Sequence, residues 1–334
     1  MKALGIVSAL IGLAVVAGLV AYFGAGGVWQ ALVAIGLSGF LAICLLHLAL
    51  IGVMGVAWRA LLPGSNPWAA IWGRLIRDSG AEVLPVSQVG GYVMGARAIT
   101  FGGVSATAAA ASTIVDVTVE FLAQLAYTAL GVLWLLRLQP TTKAAVPVAV
   151  GLGLAGLAAI AFVAMQRRGF SVFDRMARAI GQDWADKTAD GAAALHSTIA
   201  AIYCRRGAVW GSFALHLFCW IASASEAWLV LRLAGAPLDF GPVLVIESLL
   251  YAARTCAFVV PNAFGVQEGA YVLLGASFGL TPDVVLALSL IKRARDLAIG
   301  CPALGVWQVL EGGRLWRRVG AHSPPPPARV LTRR

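Results

Sequence analysis

The chain has 334 residues, 60% of them apolar and only 12% charged, with a formal net charge of +10. A soluble domain carries about 25% charged residues, and a mean hydropathy of +0.85 leaves too little polar surface to solvate a 34.7 kDa globule. This excludes a soluble enzyme and equally a disordered or collagenous chain, and the positive charge reads as membrane topology, not as affinity for nucleic acid.

A bilayer-crossing helix needs about 20 mostly apolar residues. Taken in chain order, 4–23, 31–57, 106–136, 144–164, 207–231 and 284–310 qualify. None alternates with period 2, so all six read as helices and not as barrel strands. The first is long for a secretory signal and no clean small-x-small cleavage site follows it, so it reads as a retained anchor. Two apolar segments are left over, 59–105 and 232–283. Each is long enough to dip into the membrane and return, with Pro85 and Pro261 where the tips would lie. Non-helical backbone at membrane depth survives only inside protein or against a watery cavity, so these hairpins are where a site is expected.

Lys and Arg counts give an orientation. Lys2, three arginines in 58–80 (Arg59, Arg74, Arg77), seven cations in 166–206 and six in 311–334 fall on one side. Only Arg137, Lys143 and Arg232 fall on the other. Both termini are therefore expected in the cytoplasm. The same parity makes the order helix, helix, hairpin, helix occur twice, the second time upside down. Sparse identities agree: Pro67 lies 18 residues before Pro85 and Pro242 lies 19 before Pro261, while Phe101-Gly102 and Ser112 recur 177 residues later as Phe278-Gly279 and Ser289. The expected fold is an all-α polytopic membrane protein with about six full spans and two re-entrant helical hairpins in an inverted repeat, a transporter architecture. Repeat one would cover 1–140 and repeat two 141–311. The stretch 166–206 would be a cytoplasmic insertion of amphipathic helices on the inner leaflet, and 312–334 a disordered basic cytoplasmic tail.

Ionisable residues inside spans cost about 2.5–3.5 kcal/mol each on insertion scales and normally face a cavity or a partner. Asp116 and Glu120 sit four apart on one face of 106–136. Lys292, Arg293, Arg295 and Asp296 crowd into the last span, where Lys292 and Asp296 are spaced to pair and the two arginines have no obvious local partner. Glu82 and Arg97 flank the first tip; Glu247, Arg254 and Glu268 flank the second; Glu226 lies in the fifth span. Their density points to a polar cavity at the repeat interface, suited to a lipid with a charged or polyhydroxyl head. His47 and His216 stand without metal-ligand spacing, the five cysteines form no CxxC pair and no glycine loop has a nucleotide-binding context, so neither metal nor cofactor is expected. The tryptophans read mostly as interfacial anchors at span ends.

The wording Leu84-Pro85-x-Ser87-Gln88-x-Gly90-Gly91, then Asp116 and Glu120, then Pro261-Asn262-x-x-Gly265-x-x-Glu268-Gly269, then Arg293-x-x-Asp296, resembles the flippase-like transmembrane domain of lysylphosphatidylglycerol synthases. Ser87 to Gly91 and Val115 to Glu120 are most similar to its hopanoid-biosynthesis-associated members. The resemblance implies a bacterial inner-membrane protein that moves or handles a lipid, with a hopanoid or a phospholipid as cargo and hopanoid-biosynthesis enzymes as partners. It does not carry aminoacyl transfer, because the synthases' soluble catalytic domain has no counterpart here. Residues and resemblance together give one candidate site: Glu82, Gln88, Asp116, Glu120, Arg254, Asn262, Glu268, Arg293 and Asp296. In the leading reading these line a path for the headgroup, with Arg254, Arg293 or Arg295 holding a phosphate or hydroxyl cluster. Two alternatives stay open: an intramembrane lipid-diphosphate phosphatase, although no serine or histidine stands at the second tip, and a non-catalytic scaffold for lipid-modifying enzymes.

Overall fold

A computed structural model describes residues 25–84, 87–139, 145–168, 182–257 and 260–321. The first expected span (4–23), Pro85 itself, residues 170–180 and the tail from 322 lie outside them. Among the described residues there are ten α-helices and no strand. In chain order they are α1 (Ala25–Leu61), α2 (Pro67–Val83), α3 (Ser87–Ile99), α4 (Ala106–Leu138), α5 (Ala145–Arg168), α6 (Gln182–Cys204), α7 (Arg206–Leu233), α8 (Phe240–Cys256), α9 (Val266–Ala276) and α10 (Pro282–Ala321).

Local signals set the boundaries. Asn66 accepts from the Trp68 N–H and Pro67 follows at the first helical position, so α2 starts there. Ser105 caps α4 through the Ala108 N–H at 3.2 Å, as its position predicts. Gly103 (φ 84°) turns the chain ahead of α4 and Gly279 (φ 78°) ahead of α10, in a backbone conformation that glycine alone adopts freely.

Among the described residues, three helices are long and apolar enough to cross a membrane: α1 over Val28–Leu61, α4 and α7. They coincide with three of the expected spans. The expected span 144–164 is helical as α5, but its described apolar part, Val150–Gln166, is shorter than a full crossing. The expected span 284–310 lies within α10, a 40-residue helix whose apolar run is broken by Lys292, Arg293, Arg295 and Asp296 and which contains Pro302. Apolar side chains such as Leu37, Leu41 and Leu45 on α1 and Leu154, Leu157 and Ile160 on α5 face outward, as a lipid-facing surface requires.

The two leftover segments do form helical hairpins. Helices α2 and α3, of 17 and 13 residues, pack side by side. Helices α8 and α9, of 17 and 11 residues, do the same around 257–265. At 1.5 Å per residue none of the four reaches the roughly 30 Å of a hydrocarbon core. Close backbone approach locks the first pair. A Cβ on Gly91 would stand 2.5 Å from the Arg77 carbonyl oxygen and one on Gly95 2.6 Å from the Arg77 Cβ.

The largest core cluster lies where α1, α7, α8, α9 and α10 meet, around Ile43, Val230, Ile246, Leu250, Tyr271 and Leu288. A second joins Leu61 of α1, Ala111, Val115 and Val119 of α4, and Ile199 and Ile202 of α6. Within the expected insertion 166–206, of which 169–181 lie outside the described residues, α6 packs on protein. The apolar stripe of α6 is spent on α4, and Gln166 is fully buried, donating to Thr118 Oγ1 and accepting from the Tyr203 hydroxyl. A stripe of that kind fits protein or lipid equally well, and here a protein face is within reach. Helix α10 ends at Ala321, and the expected tail from 322 on lies outside the described residues. Trp58 is not an interfacial anchor: it is fully buried and donates to Ser112 Oγ at 3.1 Å.

Candidate functional site

Arg74 and Arg77 stand three residues apart on α2, and Asp116 and Glu120 four apart on α4, so each pair shares one helical face. The two faces meet. Arg74 donates from both terminal nitrogens to Glu120 (3.0 and 2.7 Å) and from Nε to Asp78 (2.7 Å). Arg77 donates to Asp116 at 2.6 Å and also to Glu120. From α7, His216 places Nε2 3.0 Å from the other oxygen of Asp116. Its Nδ1, and Ser212 Oγ one turn away, are buried with no partner among the described residues. Sequence reading counted Arg74 and Arg77 as cytoplasmic loop cations. They are 4% and 3% exposed and belong to this network, so they leave the topology count without reversing it.

A second network ties α1, α7 and α10. Glu226 accepts from Arg295 and stands 2.9 Å from His47 Nδ1, while Arg295 also holds the neighbouring Asp296 at 2.7 Å. The expected Lys292–Asp296 pair does not form, because Asp296 turns to the guanidinium beside it. Arg295 thus has both a local and a distant partner.

The third group joins the hairpins. Arg254, in the last turn of α8, holds both oxygens of Glu82, near the end of α2, at 2.7 and 2.9 Å. Asn262 at the second tip donates to the Glu82 carbonyl at 2.6 Å. Asn262 (φ 50°) and Ala263 (φ 46°) are both left-handed, a conformation costing roughly 1–2 kcal/mol per non-glycine residue and concentrated at functional segments. The part-buried contacts of Asn262 with Glu82 and Arg254 hold this tip in place.

These three groups surround a cavity of about 430 Å³ between the hairpins and the long helices. Of the nine predicted site residues, Glu82, Gln88, Glu120, Arg254, Asn262 and Asp296 line it. Three do not. Asp116 is fully buried behind Arg77. Glu268 and Arg293 pair with each other between α9 and α10, where Glu268 also accepts from Ser289 and from the Gly265 N–H that opens α9. Close by, Lys292 and the Tyr271 hydroxyl each donate to Glu247 at 2.6 Å. The sequence did not mark Arg74, Arg77 and His47 as wall residues and left Glu226 outside the site, whereas Arg295, one of the three arginines considered for a headgroup, does line the cavity. Arg97 is distant, paired with Glu311 of α10.

The cavity wall carries both charge signs beside apolar residues such as Leu50, Ile51, Met54, Val117 and Phe121. Among the described residues no group of three His, Cys, Asp or Glu side chains is placed to hold a metal ion. Apolar helices around charges that neutralise one another is the construction of a membrane protein with an internal polar site.

No curated protein and no solved structure matches the chain. Residues 9–302 match the family model of the lysylphosphatidylglycerol synthase TM region. A match over most of the 334 residues, on helices of this length and apolarity, makes the chain a multi-pass membrane protein with a lipid-related role. The chain belongs to the lysylphosphatidylglycerol synthase transmembrane-region family.

Proposed function

We propose that this protein is a lipid translocator of a bacterial inner membrane, acting as a carrier and not as an enzyme. The headgroup passes through the charged cavity while the apolar body stays in lipid. The observation that carries the reading is the 430 Å³ cavity itself, walled by two helical hairpins and by paired charges of both signs. In this reading the hairpins are re-entrant and related as an inverted repeat, so that tilting one half about Glu82–Arg254 exposes the cavity to alternate faces. Both termini lie in the cytoplasm, and a hopanoid or related polar lipid is the cargo, in keeping with the family resemblance.

The test combines vesicles and cells. In proteoliposomes a headgroup-labelled lipid should become accessible from the opposite leaflet in the presence of the wild-type protein. The neutralised pair Glu226→Gln/Arg295→Gln should slow that movement by tenfold or more while the protein still folds. In a deletion strain, total hopanoid should stay constant while its distribution between leaflets or membranes shifts, and the double variant should copy the deletion. Accumulation of a biosynthetic intermediate instead would place the protein in synthesis.

A further inference from the structure

We infer that Gly36 is a hinge within α1, at which residues 25–35 move with α10 while 37–61 stay with α2 and α4. This rests on the translocator reading, since it says how rocking of one half against the other passes through a helix that touches both. Gly36 has φ 64° and ψ 175°, a non-helical pair inside a 37-residue helix. That part of backbone space is open essentially to glycine alone. Room is not what calls for the glycine: the residue is exposed, and a Cβ built on it would meet no atom within 4 Å. The absent side chain therefore serves the backbone, and a ψ of that kind interrupts the run of i to i−4 hydrogen bonds that stiffens a helix.

The two parts of α1 are seated on different neighbours. In 37–61, Gly39 and Gly55 do the opposite of Gly36. A Cβ on Gly39 would stand 2.7 Å from Leu233 Cδ1 of α7, and one on Gly55 2.6 Å from Ile71 Cα of α2. The Cys219 thiol of α7 donates to the Leu50 carbonyl, and the Trp58 indole to Ser112 of α4. In 25–35, Val28 and Ala31 are buried in a cluster with Leu286 and Ala287 of α10, and Val272 of α9 packs against it. Ile35, beside the break, belongs to the core cluster that α7, α8, α9 and α10 share. A rigid rod gripped at both ends by two moving bodies would resist them. A rod broken between its grips lets them turn, as hinges of a few residues do in domain closure.

The depth of the break suits this use. His47 stands beside Glu226, which holds Arg295, at the level of the cavity. Gly36 lies eleven residues before His47, about 16 Å along the axis at 1.5 Å per residue. With the cavity at mid-membrane, that is the edge of a hydrocarbon core about 30 Å thick. Backbone groups freed by the break then reach headgroups and water, not acyl chains that would leave them unsatisfied.

The experiment measures the joint directly, by double electron–electron resonance on the full-length protein in lipid nanodiscs. Nitroxides go on Val33→Cys and Leu48→Cys, both exposed, one on either side of the break. Cys204, Cys256 and Cys301 are replaced by serine, and the buried Cys44 and Cys219 stay. An unbroken helix would hold the two positions about 22 Å apart in one narrow peak. The wild-type backbone should instead give a broad or two-peaked distribution centred at shorter distances. Gly36→Ala should draw it toward the unbroken value and slow lipid movement in proteoliposomes tenfold or more. Gly52→Ala is the control. It adds the same methyl group to the same helix, also into open space but on helical backbone, and should change neither readout. One narrow wild-type peak overturns the inference, even if Gly36→Ala fails to fold. So does a Gly36→Ala protein that keeps the wild-type distances or matches a measurable wild-type rate, and so does Gly52→Ala acting as Gly36→Ala does. If wild type moves no lipid while its distances are spread and Gly36→Ala narrows them, the translocator reading falls and the hinge remains.

Discussion

Lys292 and Glu247, 2% and 0% exposed, form a pair with a structural use and no contact with the cavity. Removing one partner of a buried pair strands the other charge at a cost of about 3–5 kcal/mol, whereas replacing both by apolar groups of similar size is often neutral. Lys292→Met should therefore lower the unfolding temperature of the purified protein steeply, and Lys292→Met with Glu247→Leu should recover most of the loss. Under the translocator proposal the double variant should transport at the wild-type rate, since neither residue lines the cavity. Asp116 and Glu120 were legible in the sequence because a carboxylate inside an apolar run is conspicuous. Arg74 and Arg77 were not, because the surrounding stretch is polar enough to pass for a loop. Their three-residue spacing acquires meaning only when α4 is laid beside α2. His47 and His216 were hidden for a related reason: a lone histidine in a span says nothing until the carboxylate 179 or 100 residues away is known to face it.

At the scale of elements, the first hairpin depends on the absence of side chains along one seam. Gly91→Ala would drive a Cβ to 2.5 Å from the Arg77 carbonyl oxygen and 2.9 Å from the Ala81 Cβ, forcing α2 and α3 apart. Overpacking of that kind costs about 1–3 kcal/mol, and thermal unfolding in detergent should show it. Gly211→Ala is the control. Gly211 lies inside α7 with open space around it, so the substitution should stabilise by up to about 1 kcal/mol through helix propensity alone. The hairpins were legible from helix length, proline position and capping residues, all local signals. The fate of α6 was not, since Leu195, Ile199 and Ile202 make the same stripe whether the facing surface is lipid or α4.

For the whole molecule, orientation is the testable property, and the native cysteines supply the probe. Cys204 is exposed at the end of α6, on the side that carries most of the cations, whereas Cys44 and Cys219 are buried. In a variant retaining Cys204 alone, a membrane-impermeant maleimide should label inside-out vesicles and leave intact spheroplasts unlabelled. Labelling of spheroplasts would invert the topology, and with it the direction each hairpin faces. The overall helical arrangement was accessible from hydropathy and charge bias because both act through bulk solvent. Which charge meets which partner depends on contacts across distant segments, and no average along the chain records it.

Those long separations bear on how the protein is made. Arg74 and Arg77 find their carboxylates 39 to 46 residues later in the chain, Glu226 meets Arg295 after 69, and Glu82 waits 172 for Arg254. A first hairpin released into lipid before α4 emerges would leave Arg77 without either of its carboxylates, at a cost of about 2.5–3.5 kcal/mol, and Arg74 with Asp78 alone. Biogenesis is therefore favoured to hold α2 and α3 at the insertion machinery until α4 emerges. The first half can then enter the bilayer with both guanidiniums paired, and with Glu82 still open to receive Arg254 from the second.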